Sequence, residues 1–187
     1  MRIENEAALY DISVVWKPFL LMPIMIEQGM KQGPFLPYPK KLDYMWRDLE
    51  RRARYRGLQY KRPSVYPPRT LMTARIGLLA SQEGWCPQFS RKVFHLHWVE
   101  DKTIGNEQNL MEALSSLGKE PTEILEKAQE QKTKEALRQQ TDRAKDIGLF
   151  GSPSFMIGSE LFWGDDRLED ALQWCVSPGM KAFETDG

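Results

Sequence analysis

The chain has 187 residues, enough for one domain with a sizeable core or for one that carries a large insertion. Its 26 Lys and Arg balance 26 Asp and Glu, so no net charge draws it to nucleic acid or to an anionic membrane. The first residues are charged at once, no apolar run approaches a membrane span, and Cys86 and Cys175 form neither a Cys-x-x-Cys dithiol nor a zinc ligand pattern, which makes the cytosol, with free thiols, the expected compartment.

In chain order, residues 1–9 read as part of a helix. Residues 12–16, Ile12-Ser13-Val14-Val15-Trp16, are a β-branched apolar run that predicts a buried strand, ended by Lys17-Pro18. Residues 24–30 predict a short helix closed by Gly29 or Gly33, and 33–38 read as loop. From Lys41 the pattern turns helical. Tyr44, Met45, Trp46, Leu49, Ala53 and Tyr55 define a helix that Gly57 stops, and a Pro-rich loop covers 61–68. An apolar helix runs from Leu71 towards Gly84, another holds Phe89, Val93 and Trp98, and a further one spans 106–117. Pro121 opens the next, which continues through the charged stretch 132–147. His95 and His97 stand two apart in a helix and so point to different faces, which argues against a metal pair.

Residues 151–168 organise the rest. Ser152-Pro153-Ser154 opens the apolar run Phe155-Met156-Ile157, Gly158-Ser159 reads as a two-residue hairpin turn, and Leu161-Phe162-Trp163 returns. Gly164-Asp165-Asp166 breaks the strand, and Leu168, Ala171, Leu172 and Cys175 follow at helical spacing. A proline directly before a buried strand is a candidate cis-proline, which presents the main chain of Ser152 to a ligand. An Asp pair at a helix start lies where unpaired N–H groups and the positive dipole end gather, suited to a carboxylate. Each feature alone has a plainer reading, as a trans-proline turn or an Asp cap. Their succession is what is specific.

That succession resembles the thioredoxin-fold enzymes that use glutathione. These are the 2-hydroxychromene-2-carboxylate isomerase family and the kappa-class glutathione transferases, relatives of the DsbA-type disulfide oxidoreductases. The family's closing block runs Gly-x-Pro-Ser/Thr-Phe, a hairpin, then Leu-Phe-Trp/Phe-Gly-x-Asp-Arg. It stands here as Gly151-Ser152-Pro153-Ser154-Phe155 and Leu161-Phe162-Trp163-Gly164-Asp165-Asp166-Arg167. The resemblance implies a single α/β thioredoxin-like domain over 1–187, with 1–18 and 148–187 as the thioredoxin-like part and 19–147 as a large all-helical insertion. It also implies a first, central strand and a Ser-Pro-Tyr-Ser loop whose first serine is catalytic. No segment of this chain matches either. The family's serine is therefore expected upstream of Met1, and no catalytic residue is assigned within the chain. A start misassigned or cut at an internal methionine, now Met1, and a degenerate paralogue are the favoured accounts of the gap; another segment filling it is the third. Little isomerase activity is expected of this chain alone, with recovery on a chain extended upstream by that strand and loop.

By the same resemblance glutathione is the cofactor. Ser152 and Pro153 would offer it a main-chain edge, Asp165 and Asp166 would hold its γ-glutamyl end with Arg167 beside them, and Lys41, or else Lys40, would meet a carboxylate. Met30 stands where the family has Asn or Trp, a departure at that contact. Trp16, Phe19, Met25 and Tyr44 are candidate walls of an aromatic substrate pocket, with core packing the alternative use of each. The implied activity is glutathione-dependent isomerisation of 2-hydroxychromene-2-carboxylate in aromatic breakdown, in which the thiolate adds, lets the ring open and a bond rotate, and leaves. The alternatives are a kappa-like transferase and an inactive or non-enzymatic remnant. The lack of Cys-x-x-Cys disfavours a disulfide oxidoreductase. A small aromatic substrate, a homodimer, no metal, no nucleic acid and no membrane complete the expectations.

Overall fold

In the computed structural model the described residues are 2–177. Met1, the residue upstream of which the family's serine is expected, lies outside them, as do residues 178–187 of the expected thioredoxin-like part. Among the described residues the order is α1 (Ile3–Ala8), α2 (Leu21–Glu27), α3 (Pro39–Tyr55), α4 (Leu71–Gln82), α5 (Cys86–Trp98), α6 (Glu107–Ser116), α7 (Pro121–Gln129), α8 (Gln131–Asp146), β1 (Ser154–Ile157), β2 (Glu160–Trp163), a 3-10 turn at Asp165–Arg167, and α9 (Leu168–Val176). The chain divides into two compact units. One is Trp16–Ala144; the other joins the residues before it to those after it.

Every regular element of the Trp16–Ala144 unit is a helix. Its core is where α4, α5, α6 and α7 pack, and Ile76, Phe89, Leu96, Leu110 and Leu114 are its largest fully enclosed side chains from those helices. Local chemistry sets the ends. The Asn106 side chain accepts from the Asn109 N–H at 3.3 Å and caps α6. Pro39 and Pro121 open α3 and α7, where the missing N–H is not needed. Pro23 fits within the first turn of α2 for the same reason, so that helix starts at Leu21, earlier than expected. The expected single helix running from Pro121 through 147 is corrected: it is two. Glu130 leaves the helical region (φ −62°, ψ 148°), its carbonyl accepts from the Thr133 and Lys134 N–H groups, and the Thr133 hydroxyl donates to the Lys127 carbonyl. Those bonds end one helix and start the next.

Gly105 shows how tightly the loop before α6 is seated. A Cβ there would run into the main-chain carbonyl of Arg69, which, unlike the tip of a side chain, has little room to yield. Gly105→Ala is expected to cost ~1–3 kcal/mol. A thermal melt within a degree of the parent would contradict this packing.

In the other unit, Ala7 of α1 and Leu168 and Leu172 of α9 form a small buried cluster, with Ile3, Ile12, Val14 and Phe155 packed against it. The hairpin is antiparallel, in the register Ser154↔Trp163 to Ile157↔Glu160, which leaves Gly158-Ser159 as the two-residue turn, with Gly158 at φ 59°. The expected buried strand at 12–16 is corrected. Its burial does alternate, with Ile12 and Val14 half-buried and Ser13 and Val15 exposed, as an extended chain requires. The described sheet has two strands only, β1 and β2, so the run has no ladder. A strand needs a neighbouring strand's N–H and C=O groups; here the run is held instead by side-chain packing and by the Ile12 N–H donating to the Ala7 carbonyl at 3.0 Å. No helix among the described residues is long and apolar enough to cross a membrane.

Candidate functional site

The loop before β1 is fixed at three points. The Ser154 hydroxyl donates to the Gly151 carbonyl at 2.9 Å. The Gly164 N–H donates to the Pro153 carbonyl at 3.0 Å. The Trp163 indole occupies the space a Cβ on Gly151 would need and meets the Phe150 ring edge-on at 5.0 Å, so only a residue without a Cβ fits at 151. The Ser152–Pro153 peptide is cis, and Ser152 is exposed. Its main-chain N–H and C=O make no hydrogen bond among the described residues.

The bond from Gly164 to Pro153 brings the Asp turn to this loop. Gly164 has φ 113° and ψ 151°, and a Cβ on it would stand 2.5 Å from Asp166 Oδ1. The Asp166 carboxylate therefore folds back over Gly164, the residue whose N–H holds the Pro153 carbonyl. Asp166 remains exposed, with Arg167 3.6 Å away, and its main-chain N–H makes no hydrogen bond among the described residues. The two aspartates differ in their surroundings. Asp165 accepts from Arg2 Nε at 3.3 Å, and its carbonyl accepts from Arg2 Nη2 at 2.6 Å. Arg167 donates to Asp170 at 2.8 Å as well as facing Asp166. Those partners, Asp170 first, hold its guanidinium above the usual value, and this solvent-facing pair contributes little by itself.

Lys41 lies in the first turn of α3, with its ammonium 5.4 Å from the centre of the Phe35 ring. It lines an open hollow of about 520 Å³ together with Met30, Gly33, Pro34, Pro37 and Tyr38. Lys41 and the departure at Met30 thus meet in one depression, which the Pro- and Gly-rich loop 29–38 builds.

Residues 1–173 match the DSBA-like thioredoxin domain. The chain belongs to that family. This DSBA-like chain is 30% identical over 170 residues to the 2-hydroxychromene-2-carboxylate isomerase of Pseudomonas putida, across 89% of this chain and 81% of that one. It is 25% identical over 184 residues to glutathione S-transferase kappa 1 of Caenorhabditis elegans, across 90% of this chain and 80% of the other. A solved structure of 2-hydroxychromene-2-carboxylate isomerase matches it with a TM-score of 0.80 at 25% identity, covering 92% of this chain and 85% of that one. The expected thioredoxin-like fold and the expected family both stand. The named relatives are enzymes: a kappa glutathione transferase and an isomerase.

Within the DSBA-like chain the aromatic candidates are dispersed. Trp16 packs against the helical core, and its carbonyl accepts from the Ser81 hydroxyl at 2.6 Å. Phe19 is half-buried. Tyr44 is exposed on α3, with the Arg51 guanidinium 5.4 Å from its ring centre. No ring contact joins these three among the described residues. His97 is buried beside Trp98, and burial lowers its pKa against the opposing pull of Lys102 and Asp101; His95 faces out to Glu100 at 3.2 Å. Sequence reasoning misses Arg2. Its partners Asp165 and Glu169 lie far along the chain, and no local pattern announces such a contact.

Proposed function

We propose that this chain binds glutathione at the Ser152–Pro153 loop and the Gly164–Asp166 turn, in the service of a glutathione-dependent isomerase of the 2-hydroxychromene-2-carboxylate type. The single observation that carries this is the 3.0 Å bond from the Gly164 N–H to the Pro153 carbonyl, because it sets a main-chain edge beside a carboxylate. The groups present suit the ligand. The N–H and C=O of Ser152 would pair with the main chain of the cysteinyl unit, as one strand pairs with another. The Asp166 carboxylate would accept from the γ-glutamyl ammonium, and the Asp166 N–H, at the head of a helix, would donate to the neighbouring carboxylate. When bound, glutathione supplies a thiol as nucleophile. Similarity to the Pseudomonas putida isomerase supports the isomerase reading, and similarity to glutathione S-transferase kappa 1 of Caenorhabditis elegans supports the kappa-like alternative.

Titration calorimetry with glutathione tests the site. Asp166→Ala is expected to lose a charge-assisted contact of ~1.5–3 kcal/mol, about tenfold or more in affinity. Equal affinity in parent and variant would remove Asp166 from the site. Turnover of 2-hydroxychromene-2-carboxylate that depends on glutathione supports the isomerase; conjugation of an electrophile without isomerisation would move the reading to the transferase.

A further inference from the structure

Resting on the glutathione reading above, we propose that Arg2 is a positioning residue: it commits the Asp165 carboxylate and thereby makes Asp166 the carboxylate that meets the ligand's ammonium. Arg2 sits just before α1, and its side chain is only 18% exposed. Its fork is fully engaged. Nη1 donates to both Glu6 carboxylate oxygens at 2.8 and 2.7 Å and to Glu169 Oε1 at 2.7 Å. Nη2 donates to Glu169 Oε2 at 3.1 Å and to the Asp165 carbonyl at 2.6 Å, and Nε donates to Asp165 Oδ1 at 3.3 Å. One planar cation thus ties α1, the Asp165–Arg167 turn and α9 together, a geometry that a lysine, as a point charge with rotatable donors, cannot reproduce.

The consequence follows from charge. Two adjacent aspartates at one helix start are chemically alike, and either could take an ammonium. Arg2, shared with Glu6 and Glu169, ties down the Asp165 carboxylate and its carbonyl, while Asp166, with Arg167 3.6 Å away, stays exposed and folded over Gly164. Without Arg2, the carboxylates of Glu6, Asp165 and Glu169 would lose the cation they share, and their mutual repulsion would loosen the turn. Burial opposes the charge on Arg2, but the hydrogen bonds to Glu169 and Glu6 and the field of Asp165 outweigh it, so the guanidinium stays charged throughout the working range of pH.

The test is glutathione affinity of the whole chain by calorimetry, read beside thermal melting. Arg2→Ala and Arg2→Lys are both expected to bind glutathione about fivefold to tenfold more weakly than the parent well below their melting points. The loss is expected to vanish when either change is made in the Asp166→Ala background, since both act on one contact. Asp165→Ala is expected to change affinity less than about threefold, because its carboxylate serves Arg2. If Arg2→Lys melts lower yet binds as the parent does, Arg2 only stabilises the fold and the proposal falls. The same holds if Asp165→Ala weakens binding as much as Asp166→Ala. Should Arg2→Ala fail to fold, Arg2→Lys decides alone. A parent chain that binds no glutathione would overturn both this proposal and the reading beneath it; a parent that binds, with Asp166 essential and Arg2 indifferent, would overturn this one only.

Discussion

Gly164→Ala is expected to abolish most glutathione binding while leaving the helical unit folded. Two independent effects converge on that one carbon. The backbone at φ 113° and ψ 151° lies in a region that only glycine occupies without strain, worth about 1–3 kcal/mol. The new Cβ would also stand 2.5 Å from Asp166 Oδ1, so the carboxylate must swing off the turn or the turn must move. Either movement disturbs the bond from Gly164 to Pro153 that joins the turn to the loop. The expected loss in affinity exceeds the roughly tenfold expected of Asp166→Ala, since the Ser152 edge shifts as well. Gly158→Ala is the control. Gly158 also has positive φ, 59°, but at a value that other residues tolerate better than the 113° of Gly164. Calorimetry on the two variants separates the cases. Equal binding by Gly164→Ala and the parent would show that the turn is not part of the site.

Phe89→Ala is expected to be the most destabilising single change in the helical unit. Phe89 is 2% exposed, meets Trp85 edge-on at 5.8 Å, and lies in the cluster with Ile76, Leu96, Leu110 and Leu114. Removing a buried ring loses its transfer energy and leaves a void that four helices cannot close together, at about 3–5 kcal/mol. Whole domains hold only ~5–15 kcal/mol, so a large part of the unit's stability would go. Urea unfolding followed by helical circular dichroism should show a lower midpoint at an unchanged slope. A midpoint shift equivalent to less than about 1 kcal/mol would mean that the core can collapse around the gap.

The legible parts of the sequence are those whose causes are local. Gly158-Ser159 between apolar runs specifies the hairpin, Asn106 and Pro121 specify helix starts, and Gly57 and Gly84 specify stops; each acts within a few residues of itself. The block 151–167 is legible as a family signature, and the turn it forms is held by the bond between Gly164 and Pro153. What is not legible depends on distant partners. Residues 12–16 carry every local mark of a strand, yet laddering depends on a neighbour that a pattern cannot supply. Arg2 looks in the sequence like one more surface charge, and only the fold brings Asp165 and Glu169 to it. The difference between Asp165 and Asp166 is invisible for the same reason. The break at Glu130 is an intermediate case: Thr133 marks it, but a threonine in a charged helical stretch is weak punctuation.

The split of one compact unit across both ends of the chain bears on how the protein is made. Ala7 leaves the ribosome well before its buried neighbours Leu168 and Leu172. At about 5–20 residues per second, on the order of ten seconds pass between them. Throughout that interval the opening segment, with Leu9 82% and Val15 71% exposed even in the finished fold, has no completed cluster to join. Trp16–Ala144, whose helices close on near neighbours, can finish first. Vectorial synthesis therefore leaves residues 3–14 without their packing partners until α9 emerges.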